Sequence, residues 1–138
     1  MSLSLTDAER ADLLARPHVG VLAVAGGDGR PPVATPVWFA LDEGDIAVVT
    51  ARQSKKARLA EAAGRVTFLV HEDMPPRHAI ADADVVVEAP DEAIRRRIAE
   101  RYVPPEMVDG YLAATADADT VVLRLRVRSW STTDLSKA

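Results

Sequence analysis

The pattern of hydrophobic and polar residues along the chain predicts six strands. The first, PHVGVLAVA, is apolar at almost every position, which is typical of a strand covered on both sides. The turn GGDG connects it to a hairpin partner, PVATPVWFAL. The other four predicted strands are IAVVT, RVTFLVH, HAIADADVVV and TVVLRLRVRSW. Because short connections join most of them, antiparallel pairing is favoured over a doubly wound sheet.

The last two strands show a clear alternation of apolar and polar residues. HAIADADVVV carries a polar face near His78, Asp82 and Asp84. The final strand places three arginines on one face: Arg124, Arg126 and Arg128. These arginines are expected to lie in solvent or to pair with acids across the barrel, and a third reading is that they steer an anionic cofactor or its tail.

Helical spacing predicts a few helices outside the strands. The segment from Leu5 to Arg16 has Thr6 as its cap and is stopped by Pro17. Ser54 to Ala63 is predicted as a second helix, ended by Gly64 in the left-handed conformation. PDEAIRRRIAERY and PPEMVDGYLAA are predicted as two further short helices. The predicted fold is therefore mainly β with peripheral helices, a six-stranded antiparallel barrel formed by a single domain over residues 1–138.

Pro36 interrupts the second predicted strand. Proline has no amide hydrogen to donate to a ladder, so it indicates a sheet edge, a bend or a bulge at this point. The neighbouring Trp38 and Phe39 are more often core residues than ligand contacts on general grounds. The residues alone therefore leave the role of this segment open.

Composition narrows the chemistry. The chain has no cysteine, which excludes disulfides, thiolate nucleophiles and cysteine-bound metals. His18, His71 and His78 lack metal-ligand spacing, and no hydrolase, Walker or dinucleotide motif is present, so no metal site is predicted. Neither a signal pattern nor a long apolar run is found, so a cytoplasmic location with no membrane partner is expected. The net charge of −4 argues against a general nucleic-acid surface.

One basic stretch stands out in this acidic chain. The sequence TARQSKKARLAEAAG places Lys55 and Lys56 in the first turn of a predicted helix, after Thr50 and Ser54. Helix starts bind anions because their amides lack intrahelical partners, and the two lysines would add full charges. A solvated helix face is the alternative, although cations oppose the helix dipole there. The sequence thus predicts either a phosphate seat or an exposed basic face.

These motifs resemble those of the pyridoxamine 5′-phosphate oxidase-like split barrels, which include FMN enzymes and oxidoreductases that use the deazaflavin F420. The resemblance extends from HVGVLAV through TPVWFA and TARQSKKARLA to RVTFLV and the closing RSW. In that family a Thr-x-x-x-Ser-(Arg/Lys)-Lys pattern binds the cofactor phosphate. The resemblance therefore implies a phosphate site formed by Thr50, Ser54, Lys55 and Lys56, assisted by Arg52.

The resemblance also implies where the rest of the cofactor lies. A strand carrying four residues is expected along the flavin or deazaflavin ring: Thr35, Pro36, Val37 and Trp38. Family members form homodimers with two cofactor sites at the interface, and Trp130 matches the tryptophan that reaches the other subunit's site. The chain ends RSWSTTDLSKA, with no counterpart of the arginine and histidine that hold pyridoxal in true pyridoxamine phosphate oxidases. Oxidation of vitamin B6 is therefore not the expected reaction.

Three functions remain open from the sequence. The first is an oxidoreductase that uses FMN or F420, ranked nearly equal, for hydride transfer to an unidentified small molecule, with no catalytic side chain assigned. The second is a flavin- or small-ligand-binding carrier or sensor without turnover. The third is a structural barrel dimer with an empty pocket, which would be favoured if Lys55 and Lys56 both point into solvent.

Overall fold

The computed structural model describes residues 2–138. The four helices are α1 Asp7–Ala15, α2 Lys55–Ala63, α3 Glu92–Tyr102 and α4 Val108–Ala114. The seven strands are β1 Gly20–Val24, β2 Val33–Val37, β3 Ala40–Asp42, β4 Asp45–Ala51, β5 Arg65–Glu72, β6 Arg77–Glu88 and β7 Thr120–Asp134. Single 3₁₀ turns follow α3 and β7. The prediction of a mainly β fold with peripheral helices is confirmed.

All seven strands join one antiparallel sheet in the order β2-β1-β5-β6-β7-β4-β3. The edge strands β2 and β3 are consecutive in the chain, and only Trp38 and Phe39 separate them. Three residue steps span at most about 11 Å. The sheet must therefore curl until its two edges meet at Trp38 and Phe39, which gives an incompletely closed barrel.

The predicted number of six strands is wrong, because PVATPVWFAL forms two strands instead of one. The chain leaves the ladder at Phe39, whose amide donates to the Tyr102 hydroxyl at 3.4 Å. That hydroxyl in turn donates to the His18 carbonyl at 2.8 Å. Tyr102 thus satisfies the backbone at the break and allows the chain to cross from one edge of the sheet to the other.

The core lies inside the curled sheet. Alternate residues of β6, namely Ala79, Ala81 and Ala83, are fully buried, as the alternation predicts. The largest fully buried side chains include Phe39 and Phe68, whose rings meet edge to face with centroids 5.0 Å apart. The expectation that β1 is covered on both sides is wrong for this chain, because burial alternates along it and its second face is only partly covered.

The arginine face of β7 pairs with acids, one of the alternatives that the sequence left open. Arg124 donates to Glu88 at 2.8 Å and to Asp42 at 2.8 Å. Arg128 donates to Asp84 at 2.9 Å. Hydrogen bonds from Arg124 and then Arg97 hold the pKa of Asp42 below its usual value. These pairs connect β7 to β6 and to the β3–β4 hairpin, so they stabilise the barrel wall.

Candidate functional site

The start of α2 is built as the sequence predicts. Ser54 is the N-cap, and its Oγ accepts a hydrogen bond from the Ala57 amide at 3.2 Å. Gly64 ends the helix with φ of 70°. Thr50, at the end of β4, is buried and places its Oγ1 3.3 Å from Ser54 Oγ. The strand, the cap and the helix therefore hold two hydroxyl groups together at a helix N-terminus.

A recess of about 280 Å³ lies beside this helix start. We name it the Lys56 recess, and its lining residues are Pro36, Val37, Trp38, Val49, Thr50 and Lys56. The structure thus brings together five of the ten site residues predicted from the sequence, taken from β2, the connection that follows it, β4 and α2. The third functional reading is favoured if both lysines point into solvent; Lys55 is exposed, whereas Lys56 is partly buried and lines this recess.

Lys55 faces a second recess, of about 300 Å³, on another side of α2. We name it the Lys55 recess, and its lining residues are Gly26, Asp28, Arg30, Lys55, Arg58 and Leu59. Three of these six carry a positive charge and one a negative charge. Consecutive helix residues point about 100° apart, which is why two adjacent lysines line different recesses.

Three other predicted site residues lie outside the Lys56 recess. Arg52 Nε donates to Asp119 at 2.9 Å, so its charge is paired with the loop before β7. Thr35 pairs with the fully buried Leu22 and therefore points to the core face of β2, opposite to Pro36. Trp130 packs against the main core, with the Arg10 guanidinium 5.1 Å from its ring centroid.

Several residues near the recess were missed by the sequence analysis. Val49 lines the recess directly. The Tyr102 ring stacks on Trp38 with centroids 5.0 Å apart and planes within 7°, and Tyr111 lies at 6.0 Å. The chain has two residues each of Trp, Tyr and Phe, and all except Trp130 form one connected aromatic cluster. The presence of both tyrosines in or near the two short helices was the signal that could have indicated this cluster.

The Lys56 recess suits an anion better than a cation. Lys56 supplies a positive charge, Thr50 a hydroxyl, and the first amides of α2 have no acceptor within the helix. None of the six lining residues is an acid or a histidine. Residues 2–138 contain no group of three or more metal-ligating side chains placed to hold a metal ion. The arrangement can therefore bind a phosphate-like group beside an exposed tryptophan.

No helix within residues 2–138 combines the length and the apolar character needed to cross a membrane.

Comparison with known proteins identifies relatives of the whole chain. Residues 6–134 match the family model described as pyridoxamine 5′-phosphate oxidase. A conserved hypothetical protein of known structure from Mycobacterium tuberculosis is 25% identical, with a TM-score of 0.81, and the match covers 96% of this chain and 86% of that one. No curated protein sequence matches the chain significantly.

Two further solved structures carry cofactor names. An F420 reductase is 25% identical, with a TM-score of 0.68 and coverage of 87% of this chain and 94% of that chain. A protein from Mesorhizobium loti described as FAD-binding is 22% identical, with a TM-score of 0.66 and coverage of 94% of both chains. The second of these shows the fold alone.

Proposed function

The chain belongs to the pyridoxamine 5′-phosphate oxidase family, and from this premise we propose that it binds FMN or F420 by the phosphate and uses it as an oxidoreductase. One observation carries the proposal. Lys56 and Thr50 line a single recess together with Pro36 and Trp38, so the predicted phosphate residues adjoin the predicted ring strand. The name of the F420 reductase, which is 25% identical, supports a cofactor of the flavin type.

Lys56, Thr50 and the α2 amides fit a phosphate. The lysine donates a charge-assisted hydrogen bond, the threonine hydroxyl donates a second, and the helix N-terminus favours negative charge. Ser54 keeps its cap role and supports the Thr50 hydroxyl from 3.3 Å. Neither Lys55 nor Arg52 lines the Lys56 recess. Lys55 adds to the local positive potential, whereas the Arg52 charge is paired with Asp119.

In this proposal the ring of the cofactor lies along β2, against Pro36, Val37 and Trp38, while Thr35 supports that strand from its core face. Trp38 is 37% exposed, which leaves surface available for a ring. A bound FMN or F420 would supply hydride transfer, which gives the substrate two electrons. With no acid or histidine lining the recess, the part of this chain is to bind and orient.

A second copy of the chain completes the site in this proposal. The Lys56 recess, of about 280 Å³, is at the lower end of the usual range of ligand pockets, roughly 300–1,000 Å³, which is consistent with a second chain covering part of the cofactor. Apolar side chains remain on the surface: Val19 is 48% exposed and Val86 is 40% exposed. Trp130 is assigned to the other subunit's cofactor, as in the family. The expected mass in solution is twice the 14.9 kDa of one chain.

The Lys55 recess provides a way to distinguish the two cofactors. F420 continues beyond its phosphate into an acidic tail, whereas FMN ends at the phosphate. Arg30, Lys55 and Arg58 would attract such a tail from the neighbouring recess. The two cofactors stay equal until this recess is tested.

A carrier or sensor without turnover is the second candidate. It is favoured by the same lining of the Lys56 recess, which offers no carboxylic acid or imidazole for proton transfer. The two candidates differ only in whether the bound cofactor turns over, so the colour of the complex does not distinguish them.

The test begins with cofactor-free protein titrated separately with FMN and F420. The expected result is tight binding of at least one cofactor by the wild type and clearly weaker binding by Lys56→Met. Steady oxidation of the reduced cofactor by added electron acceptors would then favour the enzyme, and stoichiometric binding without turnover would favour the carrier. Wild-type protein that binds neither cofactor would refute both candidates.

A further inference from the structure

A second pocket adjoins the Lys56 recess through Trp38. Its volume is about 590 Å³, within the usual range for small-molecule sites. We name it the aromatic pocket, and its walls are Trp38, Tyr102, Val103, Pro104, Met107 and Tyr111. Two small residues of α4, Gly110 and Ala114, complete it. Trp38 is the one residue that lines both cavities.

The lining of the aromatic pocket selects against charge. None of its eight residues is an acid, a lysine, an arginine or a histidine. A charged ligand would lose its hydration there without gaining a partner, which is costly. The Lys56 recess next to it presents an ammonium group. The two neighbouring cavities thus differ in the ligand chemistry that they accept.

The pocket is also shaped by flat, fixed surfaces. The Trp38 and Tyr102 rings are stacked at 5.0 Å, and the Tyr102 hydroxyl is fixed by hydrogen bonds to the backbone at positions 18 and 39. Met107 is 58% exposed and provides an adaptable apolar wall. Aromatic walls of this kind favour planar molecules, because stacking adds to the gain from apolar burial.

From the shared tryptophan, the absence of charge and the planar walls, we infer that the aromatic pocket binds the substrate and that this substrate is an uncharged, planar, conjugated small molecule. The assignment as substrate site rests on the proposed function, because Trp38 would then place the substrate beside the redox ring. The ability of the pocket to bind such a molecule does not depend on the cofactor.

Gly110 offers a way to fill the pocket without harming the fold. A Cβ built at this position meets no heavy atom within 4 Å, and the residue lies within α4. Gly110→Leu therefore adds a side chain in open space and also removes a helix-destabilising glycine. Ala113→Leu is the matched control, since Ala113 is exposed on the same helix and does not line the pocket. Ala114→Leu is a second filling variant from the next turn of the helix.

The probe is N-phenyl-1-naphthylamine, an uncharged aromatic amine whose fluorescence increases in apolar sites, titrated into cofactor-free and cofactor-loaded protein. The wild type and Ala113→Leu should bind it with Kd values within twofold of each other. Gly110→Leu and Ala114→Leu should weaken binding at least tenfold. The cofactor Kd of both filling variants should equal that of the wild type.

An unchanged probe Kd in Gly110→Leu and Ala114→Leu would overturn the pocket assignment while the proposed function stands. A change of mass in solution caused by either variant would show that a second copy of the chain covers this face, and would overturn it as well. If wild-type protein binds neither FMN nor F420, both the proposed function and the substrate role of the pocket are refuted. This holds even if the probe binds and Gly110→Leu weakens its binding.

Discussion

The two adjacent lysines of α2 are predicted to differ in their effect on cofactor affinity. Lys56→Met removes the ammonium group from the Lys56 recess and keeps an apolar side chain of similar length. A charge-assisted hydrogen bond contributes about 1.5–3 kcal/mol. At 1.4 kcal/mol per factor of ten, the Kd for FMN and for F420 should rise about 10- to 140-fold.

The same substitution should leave the fold intact or improve it. Lys56 lies in the first turn of α2, where a cation opposes the helix dipole at a cost of about 0.3–1 kcal/mol. Removing it should therefore raise the melting temperature of the cofactor-free protein slightly. A loss of cofactor affinity with retained or improved thermal stability is a combination that general unfolding cannot produce.

Fluorescence or absorbance titration of cofactor-free protein measures this directly. Lys55→Met is the informative comparison: because Lys55 lines the other recess, it should change the FMN Kd less than threefold. A larger effect of Lys55→Met on F420 than on FMN would identify the Lys55 recess as the site of the acidic tail. Arg96→Met, on the exposed face of α3, controls for the loss of one positive charge. Equal Kd values for wild type and Lys56→Met with both cofactors would refute the phosphate seat.

Three further predictions concern stability. Hydrogen bonds lower the pKa of Glu9 from 4.5 to about 2, and the bond from Lys137 has the largest effect. The ionised Glu9 therefore stabilises the fold above pH 4.5, and this contribution is lost as the pH falls towards 2. Glu9→Gln should flatten the pH dependence of the melting temperature between these two pH values. Gly20→Ala should destabilise by about 1–3 kcal/mol in denaturant unfolding, because its Cβ would lie 2.5 Å from the buried Phe68 ring. Tyr102→Phe should cost about 1–3 kcal/mol in the same assay, since the backbone groups at the strand break lose their partner.

Each of these predictions has a matched control. Glu61→Gln is the control for the loss of one carboxylate, because the Glu61 side chain makes no ion pair or hydrogen bond within residues 2–138. Gly110→Ala should be neutral or stabilising, since its Cβ meets open space. Tyr111→Phe removes a hydroxyl with no side-chain hydrogen bond in the described chain and should cost less than Tyr102→Phe. If a control variant has a larger effect than the test variant with which it is paired, the explanation given for that test variant is wrong.

Local signals in the sequence predicted local structure well. The Ser54 cap and the left-handed Gly64 of α2 are where the sequence places them, because both depend on contacts within a few residues. The inward alanines of β6 follow from simple alternation. The position of α2 after β4 was likewise enough to place Thr50 beside Ser54.

The features that the sequence did not predict depend on residues far apart in the chain or on the directions in which neighbouring side chains point. The break after β2 is set by the Tyr102 hydroxyl, 63 residues away in sequence, so no local pattern revealed the seventh strand. The separation of Lys55 from Lys56 follows from the 100° step between consecutive residues of a helix. The aromatic pocket arises only when the α3 and α4 segments pack over Trp38. Its apolar residues look like ordinary helix core in the sequence.

The way the sheet closes has a consequence for aggregation. Open edge strands offer unpaired amides and carbonyls on which other chains assemble into fibrils. Here one edge strand contains Pro36, which has no amide hydrogen, and the other, β3, is only three residues long. Because the connection through Trp38 and Phe39 brings the two edge strands together, a misfolded chain would find few unpaired backbone groups on the folded protein with which to form a new strand pair. The same crossing that positions Trp38 thus also protects the folded protein from fibril growth.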